Sequence, residues 1–112
     1  IGYETWIRMS TRPRDWHRDH DDRLEMTTGE LKYPICTTCY YPYVADNVKD
    51  GRLCFENGTI VLPKTNRMVF FGPDVYHNVE EFTGERISIL LNPWNEALCQ
   101  TPCHDPWRRY MV

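Results

Sequence analysis

The sequence has no long hydrophobic run and no concentration of charge of one sign. Its longest apolar segments, such as residues 87–91, are far shorter than the roughly 20 residues that a membrane-spanning helix needs. The 13 Lys and Arg residues and the 16 Asp and Glu residues are mixed along the chain, with a formal net charge of −3. Nucleic-acid binding depends on a basic stripe or helix. We therefore expect neither a nucleic acid nor a membrane as a partner.

Cysteine has neither the number nor the layout of a small disulfide scaffold. The five cysteines are an odd number, which favours a reducing, cytoplasmic compartment. The spacings Cys36-x-x-Cys39 and Cys99-x-x-x-Cys103-His104 keep a zinc-stabilised interaction module open as an alternative. The first pair would face opposite sides of a regular strand, and the two threonines inside it are not the turn formers typical of zinc knuckles. Buried or free thiols are therefore the preferred interpretation.

Helical periodicity is absent, and turn-forming residues punctuate the chain about every 8–12 residues, which is typical of all-β proteins. The length of 112 residues favours one domain. We expect a core over residues 1–94 and a tail over residues 95–112, packed on or beside that core. The expected strands suit a small sandwich or jelly roll. These eight strands cover residues 3–10, 16–21, 34–41, 52–56, 59–62, 67–71, 76–82 and 86–91.

Two histidines and one aspartate form a candidate metal site. His17 and Asp19 are two residues apart, so on a strand both side chains face the same way, whereas His20 faces away. His77 lies early in the seventh candidate strand and can converge on them from a neighbouring strand. Two imidazoles and one carboxylate can occupy one face of Fe(II) and leave the opposite face open. The alternative is a partly exposed histidine beside a solvated acidic turn.

Arg86 and Ser88 share one face of the last candidate strand. An arginine that faces into an apolar barrel needs an anionic partner, because an unpaired buried charge is costly. A guanidinium group binds a carboxylate through two parallel hydrogen bonds, so a carboxylate ligand is one such partner. The alternative is a surface ion pair with a glutamate such as Glu80, Glu81 or Glu85.

The order His-x-Asp, distal His, then Arg-x-Ser resembles the Fe(II)- and 2-oxoglutarate-dependent oxygenases, whose fold is a double-stranded β-helix. The resemblance extends over about residues 3–94. Family members usually carry helices before the first strand, and this sequence shows none there. The segments that carry the resemblance, besides the motif residues, are 51–55, 60–63, 67–71, 77–79 and 84–89.

The resemblance implies a site and a reaction. It implies His17, Asp19 and His77 as ligands of Fe(II), with Arg86 and Ser88 holding the far carboxylate of the cosubstrate 2-oxoglutarate. The implied reaction is hydroxylation of a C–H bond by O2, with release of succinate and CO2.

A tyrosine of the third strand often assists cosubstrate binding in that family. Tyr40 is the candidate here, with Tyr41 as its alternative, because the strand cannot be aligned securely. A cupin-like barrel that binds a metal but not 2-oxoglutarate is a further alternative. The substrate, a small molecule or a peptidyl group, and the oligomeric state stay open.

Overall fold

The computed structural model describes residues 2–20, 22–95 and 108–111. About half of the chain, 49%, is β-strand and only 6% is helix, and every strand pairing is antiparallel. The predicted all-β fold class is therefore confirmed. No helix in the described ranges is long and apolar enough to cross a membrane.

All eight predicted strands have a counterpart in the structure; the strand at residues 67–71 has the predicted ends, and the ends of the other seven are shifted. In chain order, the elements are β1 (Gly2–Arg8), β2 (Arg14–His17), α1 (Asp22–Thr28), β3 (Thr37–Val44), β4 (Lys49–Asp50), β5 (Leu53–Phe55), β6 (Ile60–Val61), β7 (Arg67–Phe71), β8 (His77–Val79), β9 (Phe82–Thr83), β10 (Arg86–Trp94) and β11 (Arg108–Met111).

The strands form one larger sheet, one smaller sheet and a short pair. The larger sheet has five strands in the order β11-β1-β10-β3-β7. Its β1 and β10 pair along their whole length, from Gly2 opposite Trp94 to Arg8 opposite Ser88. The smaller sheet has four strands in the order β2-β8-β5-β6, and β4 pairs with β9. Strands distant in sequence thus become neighbours, which brings residue 17 beside residue 77.

The core lies between the two sheets. Buried and less buried residues alternate along most of β10, as expected when one face of a sheet packs inward, and most of the first half of β3 is buried. Phe55 of the smaller sheet meets Phe71 of the larger one, with ring centroids 5.0 Å apart. Tyr41 and Trp94 are each only 2% exposed. Burying side chains of this size stabilises the fold by about 1.5–3 kcal/mol each.

Strand β2 is shorter than the strand predicted over residues 16–21, and the helix α1 that follows was not predicted. Strand β2 ends at His17, and the chain then turns so that the Asp19 amide donates to Pro73 O at 3.3 Å. The helix ends at a glycine: Gly29, with a φ of 75°, donates its amide to Glu25 O at 2.8 Å. Glycine takes this left-handed conformation at little steric cost, which ends a helix.

Three stretches of strand were not predicted. Two-residue strands such as β4 and β9 carry too little sequence to show a periodicity. Strand β10 continues past the predicted end at residue 91 to Trp94, paired with β1. Strand β11 pairs with the other edge of β1 and falls within the segment predicted as a tail. The rest of that segment, except residue 95, lies outside the described residues.

Candidate metal and anion site

The fold brings His17, Asp19 and His77 together. His17 Nε2 lies 3.8 Å from Asp19 Oδ1, and His77 Nε2 lies 3.6 Å from Asp19 Oδ2. One potential ligand atom from each residue lies within 4.8 Å of the other two. Two imidazole nitrogens and a carboxylate at this separation could hold one metal ion. The ligand types suit a divalent transition metal.

Strand pairing places the two histidines, and a turn places the aspartate. His17 on β2 is directly opposite His77 on β8, and the two ring centroids are 4.2 Å apart. Asp19 follows the end of β2, so the turn there, rather than strand alternation, sets its position. It is 8% exposed. The predicted convergence is present, although the reason given for the position of Asp19 was wrong.

Backbone carbonyl groups orient both imidazoles. His17 Nδ1 is 2.6 Å from Asp15 O, and His77 Nδ1 is 2.8 Å from Val75 O. A carbonyl oxygen only accepts, so Nδ1 carries the proton in each ring. The lone pair of a neutral imidazole is then on Nε2, the nitrogen nearest to Asp19 in both residues. Such outer contacts fix the tautomer and the orientation of metal-binding histidines.

Burial keeps His17 in the form that binds metals. The pKa of His17 is lowered from 6.5 to about 4, first because burial penalises the charged ring. The charges of Arg14 and His77 lower this pKa further, while the Asp15 carbonyl and Asp19 act in the opposite direction. The neutral imidazole therefore predominates at pH 7, and a metal need not displace a proton from it.

Thr37 holds the carboxylate, a contact that the sequence-based interpretation missed. Its hydroxyl Oγ1 donates to Asp19 Oδ2 at 2.7 Å, and Thr37 is only 1% exposed. A hydrogen bond to an ionised group in a buried setting is stronger than a neutral one. Thr37 thus restricts the rotation of the carboxylate and leaves Asp19 Oδ1 nearer to His17.

His20 does not belong to the group of three. Its Nε2 contacts the Glu25 carboxylate from helix α1, and its Nδ1 is 3.1 Å from Arg18 O. Its ring meets Tyr33 edge-on, with centroids 6.4 Å apart. His20 therefore contacts Glu25 of helix α1 instead of the metal ligands. This agrees with the expectation that His20 faces away from them.

A cavity opens between the sheets beside the histidines. Its volume is about 510 Å³, counting the part that is open to solvent. His17 and His77 line it together with apolar side chains and three arginines, Arg8, Arg14 and Arg86. Apolar walls with a few polar groups are the usual composition of a small-molecule site. Here the polar groups are mainly cationic, which favours an anionic ligand.

Arg86 is buried in this cavity without a carboxylate partner. It is 5% exposed, and its Nη1 donates to Gly51 O at 2.7 Å. Its guanidinium group lies 3.9 Å from the ring centroid of Phe82 and 5.6 Å from that of Tyr41. Across the described residues it forms no ion pair. Burial lowers the pKa of Arg86, yet a guanidinium stays charged in proteins, so its charge calls for an anion.

Arg8 adds a second cation to the same wall. Burial first, and then the charges of Arg14 and Arg86, lower the pKa of Arg8. Its Nη2 donates to Arg12 O at 2.6 Å. Like charges gathered in a cavity repel one another, and an anion bound among them would relieve that repulsion. Arg8 could not be identified from the sequence, because β1 contains no recognisable motif.

Gly51 provides the room that Arg86 occupies. It has a φ of 71°, and a Cβ added there would lie 2.6 Å from Arg86 Nη1 and 2.8 Å from Phe82 Cβ. Both the backbone conformation and the close approach of the guanidinium require glycine. Gly51 is therefore a positioning residue for Arg86, and sequence reasoning had read it only as part of a resemblance.

Ser88 and Tyr40 differ in their positions relative to the cavity. Ser88 lines it, is 4% exposed and donates its hydroxyl to Arg8 O at 3.4 Å. Tyr40 does not line it; its hydroxyl donates to Asn66 Oδ1 at 2.8 Å. Because Thr37 begins β3, alternation turns Tyr41 inward and Tyr40 outward. The third-strand tyrosine that lines the cavity is thus Tyr41.

The cysteines are not grouped for metal binding in the part of the chain that the structure describes. Cys36, Cys39 and Cys54 are free thiols, and none belongs to a group of possible metal ligands there. Cys39 is buried and lines the cavity, and burial raises its pKa. Cys99, Cys103 and His104, the other half of the predicted zinc alternative, lie outside the described residues.

Comparison of the chain with models of protein families, with curated proteins and with solved structures finds no match. The function is therefore argued from the chemistry of this site.

Proposed function

We propose that this protein is an Fe(II)- and 2-oxoglutarate-dependent oxygenase that hydroxylates a C–H bond and releases succinate and CO2. The proposal includes a double-stranded β-helix fold, which the two antiparallel sheets around one cavity support. It also includes a cytoplasmic location, which the free thiols Cys36, Cys39 and Cys54 favour.

One observation carries the proposal. Two histidines and a buried arginine without an ion-pair partner among the described residues line one cavity, and the buried carboxylate of Asp19 lies beside the two histidines. Three ligands of this kind leave positions free on a divalent iron, which is the arrangement of iron oxygenases. A dicarboxylate cosubstrate supplies the anion that Arg86 lacks.

Each residue has a distinct task. His17, Asp19 and His77 hold Fe(II), which supplies the activation of O2 when it is bound. Arg86 pairs its planar guanidinium with the far carboxylate of 2-oxoglutarate, and Ser88, close behind it on β10, adds a hydroxyl donor.

Three further groups prepare the site for the cosubstrate. Thr37 holds the carboxylate ligand through its 2.7 Å hydrogen bond, and Gly51 leaves room for the guanidinium. The ring of Phe82 covers one face of that guanidinium, which shields it from water. A charge-assisted contact is stronger where water is excluded.

A metal-binding barrel without 2-oxoglutarate activity is the second candidate. The three metal ligands support it equally well. It assigns no role to Arg86. It therefore does not explain why a guanidinium group without a carboxylate partner among the described residues is buried in the cavity. A zinc module based on the cysteines has less support, since neither Cys36 nor Cys39 joins a ligand group within the described residues.

The test is turnover of 2-oxoglutarate. Purified protein with Fe(II), 2-oxoglutarate, O2 and ascorbate should release succinate slowly even without a substrate, because ascorbate supplies the two electrons that a substrate would otherwise supply. Asp19→Ala and Arg86→Ala should each abolish this release, and Arg67→Gln, on β7 and outside the cavity, should not. Succinate release at the same rate by Arg86→Ala would contradict the proposal.

A further inference from the structure

Three guanidinium groups line the cavity beside the histidines, and 2-oxoglutarate accounts for only one of them. Under the proposed function, Arg86 takes the far carboxylate of 2-oxoglutarate and the metal takes the near one. Arg8 and Arg14 are then left without an anion. Arg8 donates to Arg12 O, and the Arg14 guanidinium forms no hydrogen bond or ion pair with any residue that the structure describes.

The two arginines come from opposite sheets. Arg8 ends β1 in the larger sheet, and Arg14 begins β2 in the smaller one. Both line the cavity between the sheets. Arg8 is paired with Ser88, two residues after Arg86 on β10, so it lies on the inner face that also carries Arg86. Arg14 lies on the metal side, three residues before His17 on β2.

Electrostatic effects indicate that Arg14 is close both to Arg8 and to a metal ligand. Burial lowers the pKa of Arg8 most, and the charge of Arg14 lowers it next, ahead of that of Arg86. Burial also lowers the pKa of His17 most, and the charge of Arg14 lowers it further. Charge interactions weaken with distance. An anion bound between the two guanidinium groups would relieve their repulsion.

The carboxylates nearest to Arg14 are engaged elsewhere. Arg14 also lines a smaller neighbouring cavity together with Glu4 and Asp19, but it forms no ion pair with either. Glu4 Oε1 accepts a hydrogen bond from Trp94 Nε1 at 3.3 Å. Asp19 accepts a hydrogen bond from Thr37 and belongs to the candidate metal site. The charge of Arg14 is therefore available to an anion from outside the protein.

Both arginines can be reached from solvent. Arg8 and Arg14 are partly exposed, whereas Arg86 is almost completely buried, and the larger cavity is partly open to solvent. An acid group can therefore contact the two guanidinium groups while the rest of its molecule stays outside. The enclosed part of the cavity need not hold the whole ligand. Partial exposure also limits the strength of the contact, because water screens exposed charges.

We infer that Arg8 and Arg14 form a second anion subsite, which binds the acid group of the primary substrate. The substrate is then a molecule that carries a carboxylate or a phosphate group, since planar guanidinium groups match both oxyanions. The position of Arg14 near His17 brings the part of the substrate attached to that acid group toward the metal. That the bound acid is the substrate rests on the proposed function; that the subsite binds an oxyanion does not.

The test titrates sulfate and acetate into metal-free protein at constant ionic strength, followed by calorimetry. Sulfate represents a tetrahedral dianion such as a phosphate group, and acetate represents a carboxylate, so the tighter of the two identifies the acid group. At least one should bind with a Kd on the order of 1 mM. Arg8→Gln and Arg14→Gln should each weaken this binding at least about tenfold, because each removes a charge-assisted contact. Arg14→Lys keeps the charge but loses the planar fork, and its affinity should be intermediate.

A second titration distinguishes two anion sites from one. It uses protein saturated with Fe(II) and 2-oxoglutarate under anaerobic conditions. The same anion should still bind, with the same dependence on Arg8 and Arg14. An anion that no longer binds to the saturated protein would show that these arginines hold the cosubstrate, and would overturn the inference.

Arg67→Gln is the matched control, because it makes the same change on β7 outside both cavities. It should bind the anion as the unaltered protein does, and thermal unfolding shows whether each variant is folded. Equal weakening by Arg67→Gln would indicate a general effect of net charge and would overturn the subsite. Binding that survives both Arg8→Gln and Arg14→Gln would also overturn it, as would no saturable binding of either anion up to roughly 50 mM. Anion binding that depends on Arg8 and Arg14, in a protein that forms no chelate of Fe(II) and 2-oxoglutarate, would overturn the proposed function alone.

Discussion

Thr37 Oγ1 donates a 2.7 Å hydrogen bond to Asp19 Oδ2, and both residues are almost completely buried. Thr37 starts β3 in the larger sheet, whereas Asp19 follows β2 in the smaller one. The bond therefore ties the candidate metal site to the opposite sheet. It also fixes which oxygen of the carboxylate is nearer to each histidine.

Thr37→Val should weaken metal binding while it keeps the shape of the side chain. We expect a loss of roughly 10–100-fold in affinity for Fe(II), as is typical when a group behind a metal ligand is removed. Anaerobic titration with Fe(II) measures this loss. Thr37→Ser keeps the hydroxyl and should retain most of the affinity. Equal affinity in Thr37→Val and the unaltered protein would show that the contact does not position Asp19.

The ligand assignment separates His17 from His20. Substitution of His17, Asp19 or His77 by Ala should lower Fe(II) affinity at least roughly tenfold, since each removes a direct ligand. His20→Ala should leave the affinity nearly unchanged, because His20 contacts Glu25 and Tyr33 instead. Metal content after dialysis is a simple measurement. Loss of metal in His20→Ala but not in His17→Ala would mean that the assignment is wrong.

Gly51→Ala should damage the anion site and spare the metal site. The added methyl group would lie 2.6 Å from Arg86 Nη1, so the guanidinium must move. We expect weaker 2-oxoglutarate binding and nearly unchanged Fe(II) binding. Gly58→Ala is the control: Gly58 also has a positive φ, 89°, but nothing lies within 4 Å of its added Cβ. Gly58→Ala therefore introduces the same backbone strain, about 1 kcal/mol, without a collision with a neighbouring side chain. Equal 2-oxoglutarate affinity in the two variants would refute the positioning role of Gly51.

The stability of the metal-free protein should depend on the protonation of His17. Its pKa is about 4 in the folded chain and 6.5 as its ordinary value. Between these values the unfolded chain binds more protons than the folded chain, so the free energy of unfolding rises with pH. Stability is therefore lost as the pH falls from about 6.5 to 4. Denaturant unfolding across this window should show a steeper pH dependence for the unaltered protein than for His17→Gln. An identical pH dependence of the free energy of unfolding in the two proteins would contradict the lowered pKa of His17.

The periodic parts of the fold could be predicted, and the local exceptions could not. Alternation and turn residues located β7 at residues 67–71 as the structure has it. The two-residue strands β4 and β9 were too short to show a periodicity. The helix at residues 22–28 was missed because the charged segment before it was predicted to be part of a strand. Tertiary contacts, such as the bond from the Asp19 amide to Pro73 O, decided where β2 ends.

The same contrast holds for the site. His17, His77 and Arg86 could be named because their spacing forms an ordered pattern. Thr37 could not, because its importance comes from where its hydroxyl lies relative to Asp19, 18 residues away in sequence. Such contacts become visible only when the pairing of the strands is known.

The most direct measurement of the central claim is an anaerobic titration, first with Fe(II) and then with 2-oxoglutarate. It follows the weak visible absorption that a 2-oxoglutarate chelate of Fe(II) produces. The unaltered protein should bind one Fe(II) and then develop the band. Arg86→Lys, which keeps the charge but loses the planar pair of donors, should need more 2-oxoglutarate, and Arg86→Ala more still. Both variants should bind Fe(II) nearly as well as the unaltered protein. An iron-loaded protein that develops no band, or an Arg86→Ala variant with unchanged 2-oxoglutarate affinity, would contradict the account.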